Sequence, residues 1–134
     1  MSKGENRICD LLNKNYIKFT REKTFPDLKH GLFRFDFYIP NFKNSPAIIE
    51  YNGEQHYQFV KAFYRDRRDW LKQQEHDRRK ISYCLANNIP IYIIPYWELG
   101  KIKNATDLFQ KKYLALTRWK NDEDYENYCG NKKI

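Results

Sequence analysis

Asp36 and Glu50 stand where a carboxylate is out of place. Asp36 interrupts the aromatic run Phe35-Asp36-Phe37-Tyr38, and Glu50 directly follows Ile48-Ile49. Asp is a poor strand former, and an unpaired carboxylate inside a sheet costs several kcal/mol or takes up a proton. Each therefore needs a partner, either an arginine or a divalent cation. Two carboxylates on adjacent strands offer the oxygen-rich, partly hydrated half-cage that Mg²⁺ prefers. The bland alternative is an edge-strand Asp36 facing solvent and a Glu50 paired with a lysine.

Three further side chains belong with these two. Asp77 falls on the apolar stripe of a long charged helix, seven residues after Trp70 and four before Ile81, with Cys84 and Leu85 continuing the stripe. An acid there is either functional or held by an internal salt bridge. Its neighbours Arg78, Arg79 and Lys80 are placed on the polar side, where they would line a phosphate path. His56 closes the run Glu50-Tyr51-Asn52-Gly53-Glu54-Gln55-His56 just beyond a strand end. A neutral imidazole there activates water, and an imidazolium protonates a leaving oxygen. Glu5 is a candidate on the first helix, but its spacing from Ser2 also explains it as a cap. His30 and His76 receive no role.

The elements that must position these groups follow from patterning. Ser2 and Glu5 have capping-box spacing before Ile8, Leu11 and Leu12, which predicts a helix over 2–14. Residues 16–25 read as a strand stopped by Pro26-Asp27, and 28–31 as a turn. Residues 33–39 form the clearest strand, ended by Pro40-Asn41, with a loop over 41–46. Residues 47–51 are a short buried strand, and the three strands make an antiparallel meander. A loop over 52–64 leads to a helix over 65–87, then a strand over 89–94. Leu108, Phe109, Tyr113, Leu116 and Trp119 lie near helical spacing and predict a last helix over 107–120. The chain reads as a mixed α/β single domain over 1–120 with a polar tail over 121–134.

In order and context these residues resemble the PD-(D/E)xK nuclease superfamily. Its restriction-endonuclease-like α-β-β-β-α-β core, with a mixed sheet, has the order read here, to which this chain adds a C-terminal helix. Asp36 matches the first strand acid, and Glu50-Tyr51-Asn52 stands in the place of (D/E)xK. The chain looks most like the EDxHD branch of phage-type homing endonucleases, related to very-short-patch repair endonucleases, and Glu5, Asp36, His56 and Asp77 fit its places. The resemblance covers residues 2–97. One departure is plain: Asn52 replaces the motif lysine, and His56 or Lys80 must supply its chemistry. The resemblance implies a Mg²⁺- or Mn²⁺-dependent endodeoxyribonuclease, with the metal held by Asp36 and Glu50 and His56 as general base or water-orienting group. Asp77 would orient His56 or bind metal. Lys61, Arg65, Arg67, Arg68, Arg78, Arg79 and Lys80 would hold the DNA backbone. A single minimal domain would nick one strand alone and cut both as a homodimer or within a larger host complex. The rival is a catalytically inactive nucleic-acid-binding protein on the same fold, and RNA is the alternative substrate.

Bulk properties fit such a protein. Lys and Arg total 25 against 17 acids in 134 residues, a net charge of +8 that suits a polyanion. No stretch approaches the roughly 18 apolar residues of a membrane helix, and the polar start is no signal peptide. The expectation is a cytoplasmic, virus-encoded protein. Cys9, Cys84 and Cys129 lie far apart, which excludes a zinc knuckle or CxxC redox motif and disfavours a disulfide framework.

Overall fold

The computed structural model describes residues 1–58 and 65–115, which form a mixed α/β structure around a four-stranded mixed sheet. Helix α1 spans Lys3–Lys14, with the Ser2 hydroxyl accepting the Glu5 amide at 3.1 Å. Ile8, Leu11 and Leu12, at helical spacing, are buried against the sheet.

Strand β1 is only Thr20–Lys23, shorter than the 16–25 expected. Phe19 and Phe25, at its two ends, instead insert into different clusters, stacking edge-on with Phe37 and Phe35. Strand β2 spans Phe35–Phe42 and β3 spans Ser45–Asn52, so the expected loop over 41–46 shrinks to a two-residue hairpin turn. Lys43 and Asn44 both have positive φ, 53° and 71°, the twist that such a hairpin requires. Pro40 does not stop β2, because the ladder is irregular between Ile39 and Phe42 and needs no proline donor there.

The meander β1-β2-β3 is antiparallel, as the short connections predict. Helix α2, Arg67–Ala86, is capped by Asp66, whose side chain accepts the Asp69 amide at 3.1 Å. It returns the chain so that β4, Ile91–Pro95, lies parallel to β3 with Glu50 opposite Ile93 and Asn52 opposite Pro95. The order through β4 is thus α-β-β-β-α-β.

Two apolar clusters flank the sheet. One joins Ile8, Leu11 and Leu12 of α1 to Phe37, Ile39, Ile49 and Ile94. The other joins Ile81 and Cys84 of α2 to Phe35, Ile48, Ile91 and Ile93. Leu85 is not part of the α2 stripe; it is exposed, and the buried stripe runs through Gln74, Asp77, Ile81 and Cys84.

The last helix differs most from expectation. Helix α3 covers only Ala105–Leu108, and Gln110 is extended before a 3₁₀ turn over Lys111–Tyr113. Each short piece buries its own residues: Leu108 packs with α1's cluster, while Leu114 bridges Tyr92 of β4. The near-helical spacing over 108–113 is therefore produced by two turns of different kind. Leu116, Trp119, the tail over 121–134, Cys129 and Lys61 lie outside the described residues. Cys9 and Cys84 are free thiols. Among the described residues no helix is long and apolar enough to cross a membrane.

Candidate active site

The β2–β3 ladder explains how two strand carboxylates are tolerated. Regular pairing begins at Phe37 opposite Ile49. One residue further out, each acid bonds to the opposite strand's backbone. Glu50 Oε2 accepts the Asp36 N–H at 2.6 Å, and Asp36 Oδ2 accepts the Tyr51 N–H at 2.8 Å. The side chains thus satisfy backbone donors at the end of the ladder, which offsets part of the cost of burying them.

Glu50 is buried, and its Oε1 pairs with the Lys80 ammonium, which also lies 4.9 Å from the Phe35 ring centroid. Lys80 is therefore not on the polar side of α2. Three residues beyond Asp77, it shares that helix face, and its apolar stem crosses the Phe35 ring to reach the acid. Burial lowers the Lys80 pKa, but the Glu50 carboxylate outweighs this and holds it above the ordinary lysine value. Asp36 goes the other way: burial, then the nearby Glu50 charge, push its pKa up to about 8. Two acids share one lysine, so the site cannot hold both as carboxylates without cost.

His56 ends a 3₁₀ turn, Glu54–His56, one step past β3. Its Nδ1 lies 2.8 Å from Asp77 Oδ2, and Gln73 donates to Asp77 Oδ1 at 2.9 Å. A Nδ1–H···carboxylate bond of this kind leaves Nε2 to accept a proton. Burial pulls the imidazole pKa down, but Asp77 outweighs it and the net shift is upward. Helix α2 also grips the backbone of this turn: Trp70 Nε1 donates to the Gln55 carbonyl at 3.1 Å, and Gln74 donates to the His56 carbonyl. Trp70, Gln74 and Asp77 recur at four and three residues, so one helix face sets the imidazole.

Glu5 reaches the same place from α1. Its backbone N–H is capped by Ser2, whereas its carboxylate pairs with Arg21 of β1 at 2.6 Å. The cap therefore does not account for the acid group. Arg21 also donates from Nε to the Asp36 carbonyl at 2.9 Å and lies 4.4 Å from the Phe37 ring centroid. The first turn of α1 approaches closely because residue 4 is glycine: a Cβ there would fall 2.2 Å from the Tyr51 ring.

A cavity of about 320 Å³ is lined by Glu5, Asp36, Glu50, Asn52, His56 and Lys80, among others. The structure thus gathers Asp36, Glu50, His56 and Glu5 around one space, with Asp77 behind His56. Among the described residues no group of three or more His, Cys, Asp or Glu is arranged to hold a metal. Of the basic residues expected to hold a nucleic-acid backbone, Arg67 and Arg68 are exposed at the start of α2. Arg65 pairs with Asp69, and Arg78 and Arg79 both pair with Glu75. Sequence reading missed Arg21, Trp70, Gln73 and Gln74 as parts of the site. Gln74 alone left a trace, as a polar residue on the buried stripe.

No family model matches the chain, and no solved structure matches it. Three viral proteins are similar to it. Uncharacterized protein 307L of Invertebrate iridescent virus 6 is 36% identical over 70 residues, 51% of this chain and 34% of that protein. Uncharacterized protein 033L of Invertebrate iridescent virus 3 is 38% identical over 48 residues, 36% of this chain and 25% of that protein. Uncharacterized protein 094L of Frog virus 3 is 36% identical over 101 residues, 71% of this chain and 63% of that protein. The chain therefore spans about a third, a quarter and just under two thirds of the length of these relatives.

Proposed function

We propose that this chain is a divalent-metal-dependent DNA endonuclease of the PD-(D/E)xK type, nearest the EDxHD branch. The observation that carries the proposal is the convergence of Asp36, Glu50 and Lys80 on one cavity with the His56–Asp77 pair. The element order α-β-β-β-α-β supports a restriction-endonuclease-like core. Lys80, delivered from α2, takes the place of the motif lysine that Asn52 vacates in the strand.

The donor set fits Mg²⁺ or Mn²⁺. Glu50 is buried and Asp36 half-buried beside it, with Lys80 pairing Glu50 alone, and such a pair attracts a divalent cation. Mg²⁺ keeps several waters and takes one or two protein carboxylates, so a third protein ligand is not required. When bound, the cation would polarise the scissile phosphate and make a coordinated water more acidic.

The protein's own groups do the rest. His56 Nε2 takes the proton of the attacking water, and Asp77 holds Nδ1–H and stabilises the imidazolium that forms. Lys80 keeps Glu50 ionised and places positive charge at the phosphate. Arg67, Arg68, Arg78 and Arg79 bind flanking phosphates, with the Glu75 pairs of the last two exchanged for DNA contacts. Cleavage of both strands would take a second copy of the chain or a larger complex.

Incubation of the purified protein with supercoiled plasmid and Mg²⁺ or Mn²⁺ tests the proposal, with Asp36→Ala alongside. Nicking by the wild type that is lost in the variant is expected. Cleavage undiminished in Asp36→Ala overturns the site, and tight metal-independent binding without cleavage favours a non-catalytic DNA-binding protein. A preference for RNA in the same assay would reassign the substrate.

A further inference from the structure

Asn52 is a buried side chain with no protein partner. It is only 5% exposed, lines the cavity, and among the described residues nothing hydrogen-bonds its carboxamide. Its polar atoms are not among the fully buried ones left without a partner, so the carboxamide opens on the cavity and is free to meet what enters there. Alternation along β3 puts Asn52 on the same face as Glu50, one two-residue repeat or roughly 7 Å further along the strand. Tyr51, between them, turns the other way onto Gly4. The amide therefore sits beyond the acid pair, on the side toward His56, where the chain returns through Gly53.

We propose that Asn52 is a substrate-contacting residue whose carboxamide NH₂ donates to a non-bridging oxygen of the scissile phosphate; this rests on the nuclease reading above. Three other polar groups of the cavity are already engaged. Lys80 is tied to Glu50, His56 Nδ1 to Asp77, and Glu5 to Arg21. Asp36 and Glu50 repel a phosphate until a cation intervenes. A neutral donor beyond them grips the phosphate without competing for that cation, which a lysine in the same position would do by charge. Asn52 thus keeps the positioning part of the motif lysine's work, while Lys80 has its charge.

The test exploits the missing partner. In Asn52→Leu, of similar shape, an amide that has no protein partner is replaced by an apolar group, so the fold loses no internal hydrogen bond. Thermal melts, and binding of a fluorescent DNA duplex in Ca²⁺, a divalent cation that offsets the acid pair's charge without the strict octahedral geometry of Mg²⁺, are measured on the same preparations. The expected result is an unchanged or raised melting temperature with duplex affinity weakened about tenfold, the worth of one bond to a charged group. Asn52→Asp, which fills the same space but repels phosphate, should bind more weakly still.

A lowered melting temperature in Asn52→Leu overturns the proposal, because it reveals a structural bond. Unweakened duplex binding by that variant also overturns it. A wild type that binds no duplex sinks the nuclease reading and this inference together. Wild-type binding matched by Asn52→Leu sinks this inference alone.

Discussion

Two carboxylate sites among the described residues treat their charge in opposite ways. Glu98, in the turn after β4, receives Lys101 at 2.9 Å, Lys112 at 3.0 Å and the Tyr113 hydroxyl at 3.1 Å. Burial alone would raise its pKa, but these three donors outweigh burial and the net shift is downward. Asp36 and Glu50 share one lysine, and Asp36 is held far above the ordinary carboxylate range. A carboxylate surrounded by cations ties segments of chain together. A carboxylate pair left short of positive charge stores an unfavourable arrangement, and such arrangements concentrate where a ligand relieves them. On the proposed reading an acid is structural in one region and chemical in the other, and the number of cations around it makes the difference.

The largest expected effect comes from removing the uncompensated acid. If Asp36 holds the metal as proposed, Asp36→Asn should lower cleavage about a thousandfold, since a metal ligand contributes several kcal/mol of transition-state stabilisation. It should also raise the melting temperature by a few degrees, because an acid whose ionisation burial and then Glu50 oppose is replaced by a neutral group that still accepts the Tyr51 N–H; about 1 kcal/mol corresponds to roughly 4 °C in a domain of this size. A variant that loses both activity and stability would place Asp36 with Glu98 among the structural acids. Next is Lys80→Met, which leaves Glu50 buried without its cation. Breaking such a pair costs about 3 kcal/mol, measurable by urea unfolding. An undiminished unfolding midpoint would show that Glu50 does not depend on Lys80.

His56→Ala should reduce turnover about a hundredfold, the usual contribution of a general base, with the fold intact by circular dichroism. Cleavage within twofold of wild type would remove His56 from the chemistry and leave Lys80 as the remaining candidate for the motif lysine's work.

Much of this contrast was legible in the sequence, for identifiable reasons. Asp36 and Glu50 announced themselves because strands tolerate acids poorly. Asp77 did so because it broke an apolar stripe, and the meander followed from short connections. Lys80 was misplaced because periodicity assigns a Cβ to a face but does not foresee a long stem carrying its charge inward over Phe35. Arg21 was invisible for a different reason. Its role depends on β1 pairing beside Asp36, a contact between residues 15 apart in sequence that no local pattern encodes. The expected helix fails over 109–115 because Tyr113 was counted only as an apolar residue at helical spacing, whereas its hydroxyl is drawn to Glu98. Glu98 itself was passed over, since its partners lie in turns with no periodicity to mark it.

Glu98 therefore gives the smallest but cleanest test of the contrast. Its folded pKa lies below the ordinary value of 4.5, so ionisation favours the folded state. That stabilisation is fully present above the ordinary glutamate value and is lost as pH falls through the lowered one. Glu98→Gln keeps the shape and an acceptor for Tyr113 but gives up the charge. It should cost about 1 kcal/mol near neutral pH, the scale of exchanging charged for neutral hydrogen bonds. Thermal melts of wild type and variant across pH 7 to 3 should converge at the acid end. A gap that stays constant across that range would mean that packing around Glu98, rather than its charge, holds the turn to the 3₁₀ segment. Cleavage by Glu98→Gln at a temperature well below its melting point should match wild type, because this acid is balanced by the chain itself and has nothing to offer a substrate.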